Sequence, residues 1–575
     1  MTAQNNKRKP AARGPQPAPG APATPAAPAA GGQGRVLGPA GARLDTRPKP
    51  ALADVDVLVV GGGPTGMMAA CELLRRGVRV RVIDRAPAPM EVPKALSLWP
   101  RAVDLLDDLG VGDGLREASV RVDAFSYFSD RRPLATFPIP AEYAARNLPQ
   151  YETERLLAER LHSLGGKVER DVRLLAVDDV DYSGDIDATD GVTVVLEHGD
   201  GVLERTRVPF LVGADGAGSS VRGQLGTGFE GATYEMAFAL VDARIEGELP
   251  GDEILYYQAP SGTLVIVPMP DDVFRFLSVM PAGGQGVGLA MMQKLVDERG
   301  PRGIRLKEAV WETVFRVHAR HAADFQRGRI FLMGDAAHVH SPAGGQGMNN
   351  GLQDAHNLAW KLAAVIKGHS PSSLLLGYGP ERAHITRRIV RDTDVQTRAW
   401  MADGPLKVKT RDAMFRLFER TGAITRYYTP VLAGRRLAYE PVRRTQLPAR
   451  GSRCALHRKV PGGGLRVGAV FPREIALAQG IAGPAADPMA WTIAVVPPAQ
   501  RAAAAAWTAE VRHIAGRYPQ ARVLPISRNE LLRRGGCRQA HYYLVRPDGH
   551  IAAHGHEQDL DRLESELREV LVPRA

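Results

Sequence analysis

Cysteine is scarce in this chain: Cys71, Cys454 and Cys537 lie far apart and form no CxxC pair. That excludes a disulfide scaffold, a thiolate zinc site and a dithiol redox centre. Long apolar runs are missing as well, so no segment is expected to span a bilayer as a helix. Acidic residues are nearly absent from positions 1–50, which hold eight Lys or Arg against one Asp, and serine is absent from them altogether. Rich in Pro, Ala and Gly, this stretch cannot build a core and is read as a disordered basic tail, without the apolar segment of a secretory signal. It accounts for seven of the eleven net positive charges. The remainder is too dilute for a nucleic-acid-binding stripe, so no nucleic-acid partner is expected. With 575 residues there is room for two to four domains, and a cytoplasmic protein is the expectation.

What is present begins with an apolar strand at Val55–Val60, followed by Gly61, Gly62, Gly63, Pro64, Thr65 and Gly66 and a helical run ending at Gly77. This is GxGxxG in its strand-to-helix setting. Gly61 allows the tight turn, Gly63 lets a pyrophosphate reach the backbone, and Gly66 lets the helix lie on the strand. A second strand ends at Asp84, 23 residues after Gly61 and beside Arg85. A carboxylate there accepts from both ribose hydroxyls and repels a 2′-phosphate, which suits the ADP part of FAD or NAD. Cys71, inside the first helix, is expected to be a small buried filler.

A second constellation runs from Arg329 to Gly368. An apolar strand, Ile330–Met333, stops at Gly334 and Asp335, crosses a loop containing Gly344, Gly345 and Gly347, and becomes a helix near Asn349. Such a loop can lie flat against a ligand and aim N–H groups at it, and the helix start behind it favours negative charge. A reduced isoalloxazine ring is negative on its pyrimidine side, so the loop suits a flavin. Asp335 is positioned to accept from sugar-like hydroxyls.

The segment GDAAHVHSPAGGQGMNNGLQDAHNLAWKL, from Gly334 to Leu362, resembles the Gly-Asp motif of the FAD-dependent aromatic hydroxylases. The resemblance implies that Asp335 binds the ribityl chain and that Pro342 sits by the flavin carbon where oxygen adds. It also implies that Gly345 belongs to the cradle, that Gly347, Met348 and Asn349 meet the pyrimidine edge, and that His338 packs beside FAD. Phe210–Arg222, FLVGADGAGSSVR, is similar to the family's Asp-Gly motif, with Asp215 and Arg222 as the implied contacts. Lys94 stands where the family has an arginine near the pyrophosphate, and keeps the charge without the fork. Gln150, opening QYETERLL, has two readings: a flavin contact, or with Glu154 a cap of its own helix. Arg101 is read as a solvated helix residue.

The implied fold is α/β: a Rossmann-like FAD-binding domain (51–228 and 318–395) with an inserted antiparallel β-sheet substrate domain (229–317). A helical connector (396–450) and a thioredoxin-like C-terminal domain (451–575) complete it, the last expected to serve packing and dimer contact. Tyr256, Tyr257 and Phe274 are either pocket or core aromatics. The loop Asp179–Asp190 imitates an EF-hand in spacing, but its flanks read as strands, so it is expected to be a hairpin tip. His338 and His340 lack further ligands at a fixed interval, and no metal is expected.

The implied activity is monooxygenation. FAD is reduced by transient NAD(P)H, O2 adds at the flavin C4a carbon, and one oxygen atom passes to a small aromatic substrate, phenolic or polyketide. Pro342 and Gly347 stand nearest that chemistry. Baeyer–Villiger insertion and a non-catalytic FAD-fold carrier are the alternatives on the same fold. A halogenase is disfavoured because its Trp-x-Trp-x-Ile-Pro segment is missing.

Overall fold

The computed structural model describes residues 51–574 apart from 179, 281–286, 341–343, 401–403, 441–464 and 528–539. The basic tail, Pro342, Cys454 and Cys537 therefore lie outside the described residues. The central sheet runs in the order Gln326–Arg327, Ile330–Leu332, Phe210–Gly213, Val57–Val60, Val80–Asp84, Val168–Arg170. All of its pairings are parallel except the short hairpin at 326–332. Its strands are continuous apolar runs because both faces are covered. Parallel neighbours end on the same side. The loops after Val60, Gly213 and Leu332 thus emerge next to one another, although the first and last are some 270 residues apart in sequence.

Two helices lie behind these loops, Pro64–Leu74 and Gly347–Ile366, and they pack on each other. Proline at the start of the first costs nothing, since that position needs no N–H. Cys71 sits fully buried inside it, its thiol donating to the Leu157 carbonyl at 3.6 Å, and burial pushes the thiol up to about 12. It is a packing residue, as expected.

The second sheet has eight strands in the order His338–Val339, Arg305–Ala322, Phe229–Glu246, Val273–Val279, Gly262–Pro268, Glu253–Ala259, Ala124–Ser129, Arg132–Pro138. It is antiparallel except where Glu253–Ala259 meets Ala124–Ser129 in parallel. The domain boundary read from the sequence needs correction here. Two strands come from 124–138, a stretch assigned to the first domain, because the parallel pairing of a distant segment leaves no local signature.

Alternation along these strands separates the aromatics that the sequence left undecided. Ile254, Tyr256, Val265 and Val267 face one side, whereas Leu255, Tyr257, Leu264, Ile266, Phe274 and Phe276 pack on the other, beneath the Leu289–Arg299 helix. The EF-hand-like loop joins the strands Val172–Val177 and Val192–His198, which pair antiparallel, so it lies between strands rather than helices. Its Asp190 carboxylate pairs with Arg207.

The C-terminal layer is a four-stranded sheet in the order Ala521–Pro525, Trp491–Val496, His541–Val545, Ile551–His556, parallel at the first pairing and antiparallel at the next two. Helices Arg501–Ala515 and Leu560–Val570 accompany it, giving the βαβ, hairpin and helix order expected from sequence. Its apolar face meets the back of the Gly347–Ile366 helix, where Trp360 and Trp491 cross edge to face at 5.6 Å.

Beside that contact Glu381 accepts from Arg546 Nη1 at 2.6 Å, Lys361 Nζ at 2.8 Å and Asn357 Nδ2 at 2.8 Å, all buried. Arg101, which the sequence suggested was solvated, is instead buried and donates to the Asp548 carbonyl at 2.8 Å. The layer that covers it begins more than 300 residues later, so local sequence gave no warning.

Burial alone would raise the Glu381 carboxyl, but Arg546 and Lys361 outweigh it and hold it well below the usual range. A depressed carboxyl contributes stability above its unfolded pKa and loses that contribution as pH falls toward the folded one. Unfolding free energy should therefore drop as pH is lowered below about 4. Glu381→Gln should cost about 3–5 kcal/mol at neutral pH, because it strands buried cations, and should flatten the acid dependence. Denaturant titrations across pH check both.

Candidate active site

The three loops touch through glycines. A β-carbon on Gly61 would run into the Ala214 carbonyl and lie 2.9 Å from the Asp215 nitrogen, and its φ of +112° is itself glycine-favouring. On the other side Thr65 fills the space that a β-carbon on Gly334 would need, 2.7 Å from its Oγ1. The first loop is thereby clasped between the second and the third. Gly63 differs: a β-carbon there would meet nothing, because it would project into open space.

That space is a cavity of about 1260 Å³, larger than the roughly 300–1,000 Å³ of an ordinary ligand pocket. Gly61, Gly63, Pro64, Thr65, Asp84, Arg85, Lys94, Gln150, Asp215, Asp335, Gly345, Gly347 and Met348 all line it. Both helices that begin here, at Pro64 and at Gly347, lack a side-chain cap, so their first N–H groups remain for an anionic or acceptor-rich ligand. Asp84 is already oriented, accepting from the Gly62 N–H at 2.6 Å and the Ala86 N–H at 2.8 Å. These features fit a dinucleotide: a carboxylate for ribose, open backbone over a phosphate site and free helix termini.

Asp335 presents its exposed surface to the cavity while Gly334 and Ala336 beside it are buried. Because that surface faces the enclosed cavity and not bulk water, desolvation pushes its carboxyl above the usual range, and His338 and Lys94 pull it partway back. Gln150 opens its helix without capping it; it accepts from the Ala95 N–H at 3.2 Å and donates to Glu154 at 2.9 Å, and both side chains border the cavity.

Four of the sequence candidates stand behind the lining. Gly66 is buried against Gly61, and Gly334 donates its N–H to Asp354 Oδ2 at 2.9 Å. Arg222 spends its guanidinium on the Ala336 carbonyl at 2.9 Å and the Ala217 carbonyl at 2.7 Å, tying the second loop to the third. Asn349 accepts from the Trp99 N–H at 2.7 Å and donates to the Ser97 and Gly345 carbonyls at 2.8 and 2.7 Å. Neither faces the cavity as the resemblance implied; each fastens loops that do. Asp215 lines the cavity, yet its carboxylate is occupied with capping the next helix at the Ser220 N–H, 2.6 Å away.

His338 also lies behind the loop, fully buried, with Nε2 2.6 Å from Asp354 Oδ2, and it is His340 that borders the cavity. Asp354 further accepts from Arg382 Nε at 2.5 Å. Burial opposes its charge, but Arg382 and His338 hold the carboxyl below the usual range.

Beyond the loops the cavity opens beneath the eight-stranded sheet. Its wall carries Phe125, Tyr127, Ile254, Tyr256, Val265, Val267 and Leu277, with Tyr127 and Tyr256 stacked at 4.6 Å. The opposite wall was missed from sequence. Phe415, Ile424, Tyr428, Val431 and Leu432 close it, from the segment read as a helical connector. Its helix Pro405–Thr421 and the π-turn Ile424–Tyr428 show one apolar face to the cavity, a period hidden among Lys and Arg. Trp99, donating to the Gly344 carbonyl at 2.7 Å, is a further contributor that sequence did not single out.

A family model described as an FAD binding domain matches residues 54–393. The 6-methylpretetramide 4-monooxygenase of Streptomyces rimosus is 38% identical over 352 residues, 59% of this chain and 61% of that enzyme. The pentachlorophenol 4-monooxygenase of Sphingobium chlorophenolicum is 33% identical over 363 residues, covering 61% and 66% respectively. The chain thus spans under two thirds of the length of these relatives. Among solved structures, an anhydrotetracycline hydroxylase from Streptomyces rimosus is similar with a TM-score of 0.67 and 27% identity, over 91% of this chain and all of that one.

Two glycines two residues apart should respond oppositely to the same change. Gly61→Ala should destabilise the fold by about 1–3 kcal/mol, through strain and the clash with the second loop. Gly63→Ala should leave thermal stability unchanged while impairing cofactor retention. Parallel melting curves and bound-cofactor absorbance read the contrast.

Proposed function

The chain belongs to the FAD binding domain family, and on that premise we propose that it is an FAD-dependent monooxygenase that uses NAD(P)H and O2 to hydroxylate a phenolic or polyketide-like aromatic substrate. The observation that carries the reading is the continuity of one cavity, from the glycine loops to an aromatic-walled chamber. When bound, FAD would supply the redox chemistry that the chain's own side chains lack, namely hydride acceptance and oxygen activation.

The chain's own residues do the rest. Asp84 holds ribose hydroxyls, and the open backbone at Gly63 with the uncapped start of the Pro64–Leu74 helix receives the pyrophosphate, with Lys94 and Arg85 nearby. Asp335 accepts from the ribityl hydroxyls. Gly345, Gly347 and Met348, at the other uncapped helix start, meet the electron-rich edge of the ring and stabilise negative charge there. The apolar walls exclude water, which matters because water competes with the substrate for the activated oxygen. Tyr256 and Tyr127 offer flat faces against which an aromatic ring can stack. The names of two relatives, a 6-methylpretetramide 4-monooxygenase and a pentachlorophenol 4-monooxygenase, support an aromatic substrate. We further propose that the C-terminal layer is thioredoxin-like in lineage, on its strand order alone.

The protein should purify yellow, or take up one FAD per chain, and phenolic or polycyclic compounds should stimulate its NAD(P)H oxidation, with product mass raised by one oxygen. Asp335→Ala should weaken FAD binding by about 10–100-fold, the equivalent of losing about 1.5–3 kcal/mol of charged hydrogen bonding. A flavin titration with unchanged affinity in that variant would remove Asp335 from the cradle.

A further inference from the structure

The helix Pro405–Thr421 closes the substrate chamber with one face and is fastened there. Phe415 and Phe418 pack into the aromatic cluster beneath the sheet. Both acidic residues of the helix are spent on that sheet: Asp412 accepts from Ser129 Oγ at 2.6 Å, and Glu419 accepts from the Thr136 N–H at 2.8 Å. At 3.6 residues per turn the opposite face carries Leu406, Ala413, Met414 and Leu417, and all four are exposed. Leu406 is 79% exposed, Leu417 56% and Met414 39%, whereas no other helix among the described residues exposes more than one large apolar side chain. Lys407 flanks this stripe on one edge, and Lys409, Arg416 and Arg420 flank it on the other. None of these four cations has an ion-pair partner among the described residues. Thr410 and Thr421, the hydroxyl residues within the stripe, donate back to the Leu406 and Leu417 carbonyls at 2.9 and 2.8 Å, so neither requires water.

Apolar side chains held at the surface between unpaired cations fit a phase that is apolar within and negatively charged at its boundary. We propose that the outer face of Pro405–Thr421 is a docking surface for an anionic lipid bilayer. The helix lies in the plane of the headgroups, with Leu406, Met414 and Leu417 in the acyl boundary and the four cations against lipid phosphates. No helix among the described residues is long and apolar enough to cross a membrane, so the contact is peripheral and reversible.

Charge selects this occupant over others. A second copy of the chain, brought to the same face across a two-fold axis, would set Lys409, Arg416 and Arg420 against their twins. A nucleic acid would answer the cations but not the leucines. The helix also lines the chamber through Phe415. On the monooxygenase reading, docking therefore brings the chamber wall within one helix diameter, roughly 10 Å, of the layer where apolar aromatic compounds dissolve.

The test is co-sedimentation of the full FAD-loaded chain with vesicles of phosphatidylcholine, alone or mixed with phosphatidylglycerol, at low and high salt. The protein should bind the mixed vesicles at least roughly tenfold more tightly than the neutral ones, and salt should weaken that binding. The basic residues at 1–50 supply charge attraction of their own, so two variants separate the contributions. Leu406→Ser with Leu417→Ser removes no charge, yet it should weaken binding roughly tenfold or more. Lys409→Gln with Arg416→Gln and Arg420→Gln should weaken it by roughly tenfold as well. Both variants should keep the melting temperature and FAD content of the wild type. Absence of binding, binding indifferent to lipid charge, or binding unchanged in the leucine variant overturns the proposal. Flavin-free protein should bind vesicles as the loaded protein does, so failure to take up FAD would count against the monooxygenase reading and not against this surface.

Discussion

The contact on which the structure turns is backbone against backbone at Gly61. Three adjacent parallel strands deliver three loops to one edge of a sheet, but adjacency alone would leave them jostling for the same space. Gly61 lets the first loop lie directly on the Ala214 carbonyl of the second, and Gly334 makes room for Thr65 between the first and the third. Side chains then fasten what the glycines allow: Arg222 across the second and third loops, Asn349 between Trp99 and Gly345, Asp354 onto the Gly334 N–H. The outcome is a preorganised concave surface, so the ordering of those loops need not be met at the moment of binding.

Charge is used in the same way behind the site. Asp354 with Arg382 and His338, and Glu381 with Arg546 and Lys361, are buried clusters in which each ion is satisfied by more than one partner. Clusters like these need not exceed a well-packed apolar core in stability, but removing any one member is costly. They are directional, as apolar packing is not. One fixes the Gly-Asp loop to the helix behind it and the other fixes the C-terminal layer to the back of that helix. The Trp360–Trp491 crossing adds the area that such an interface needs.

Much of this was legible from the chain. GxGxxG with Asp84, the Asp-Gly segment and the Gly-Asp segment each carry their own strand-to-helix punctuation, so the parallel sheet and the residues lining its loop edge follow from local pattern. The second sheet was expected, yet period-two alternation along its strands could not say which face met the cavity; Tyr256 and Tyr257 are equivalent until the position of the Leu289–Arg299 helix is known. Long-range pairing escaped for the same reason. The strands at 124–138, the burial of Arg101 under a layer far along the chain, and the wall formed by Phe415 and Tyr428 depend on what packs against each element. Arg222 and Asn349 show the limit of motif reasoning from the other side. Their positions match the pattern, but their donors and acceptors are consumed in holding neighbouring loops, a role that residue type alone does not distinguish from touching a ligand.

The central claim, that three distant loops grip a single flavin adenine dinucleotide with its ring turned toward the aromatic chamber, is tested most directly by crystallography of the FAD-soaked protein. The account predicts one FAD per chain, with its adenosine ribose on Asp84, its ribityl chain at Asp335 and its ring against Gly345–Met348. A flavin found elsewhere, a ring facing away from Tyr256, or loops closed over with no room for the cofactor would contradict it.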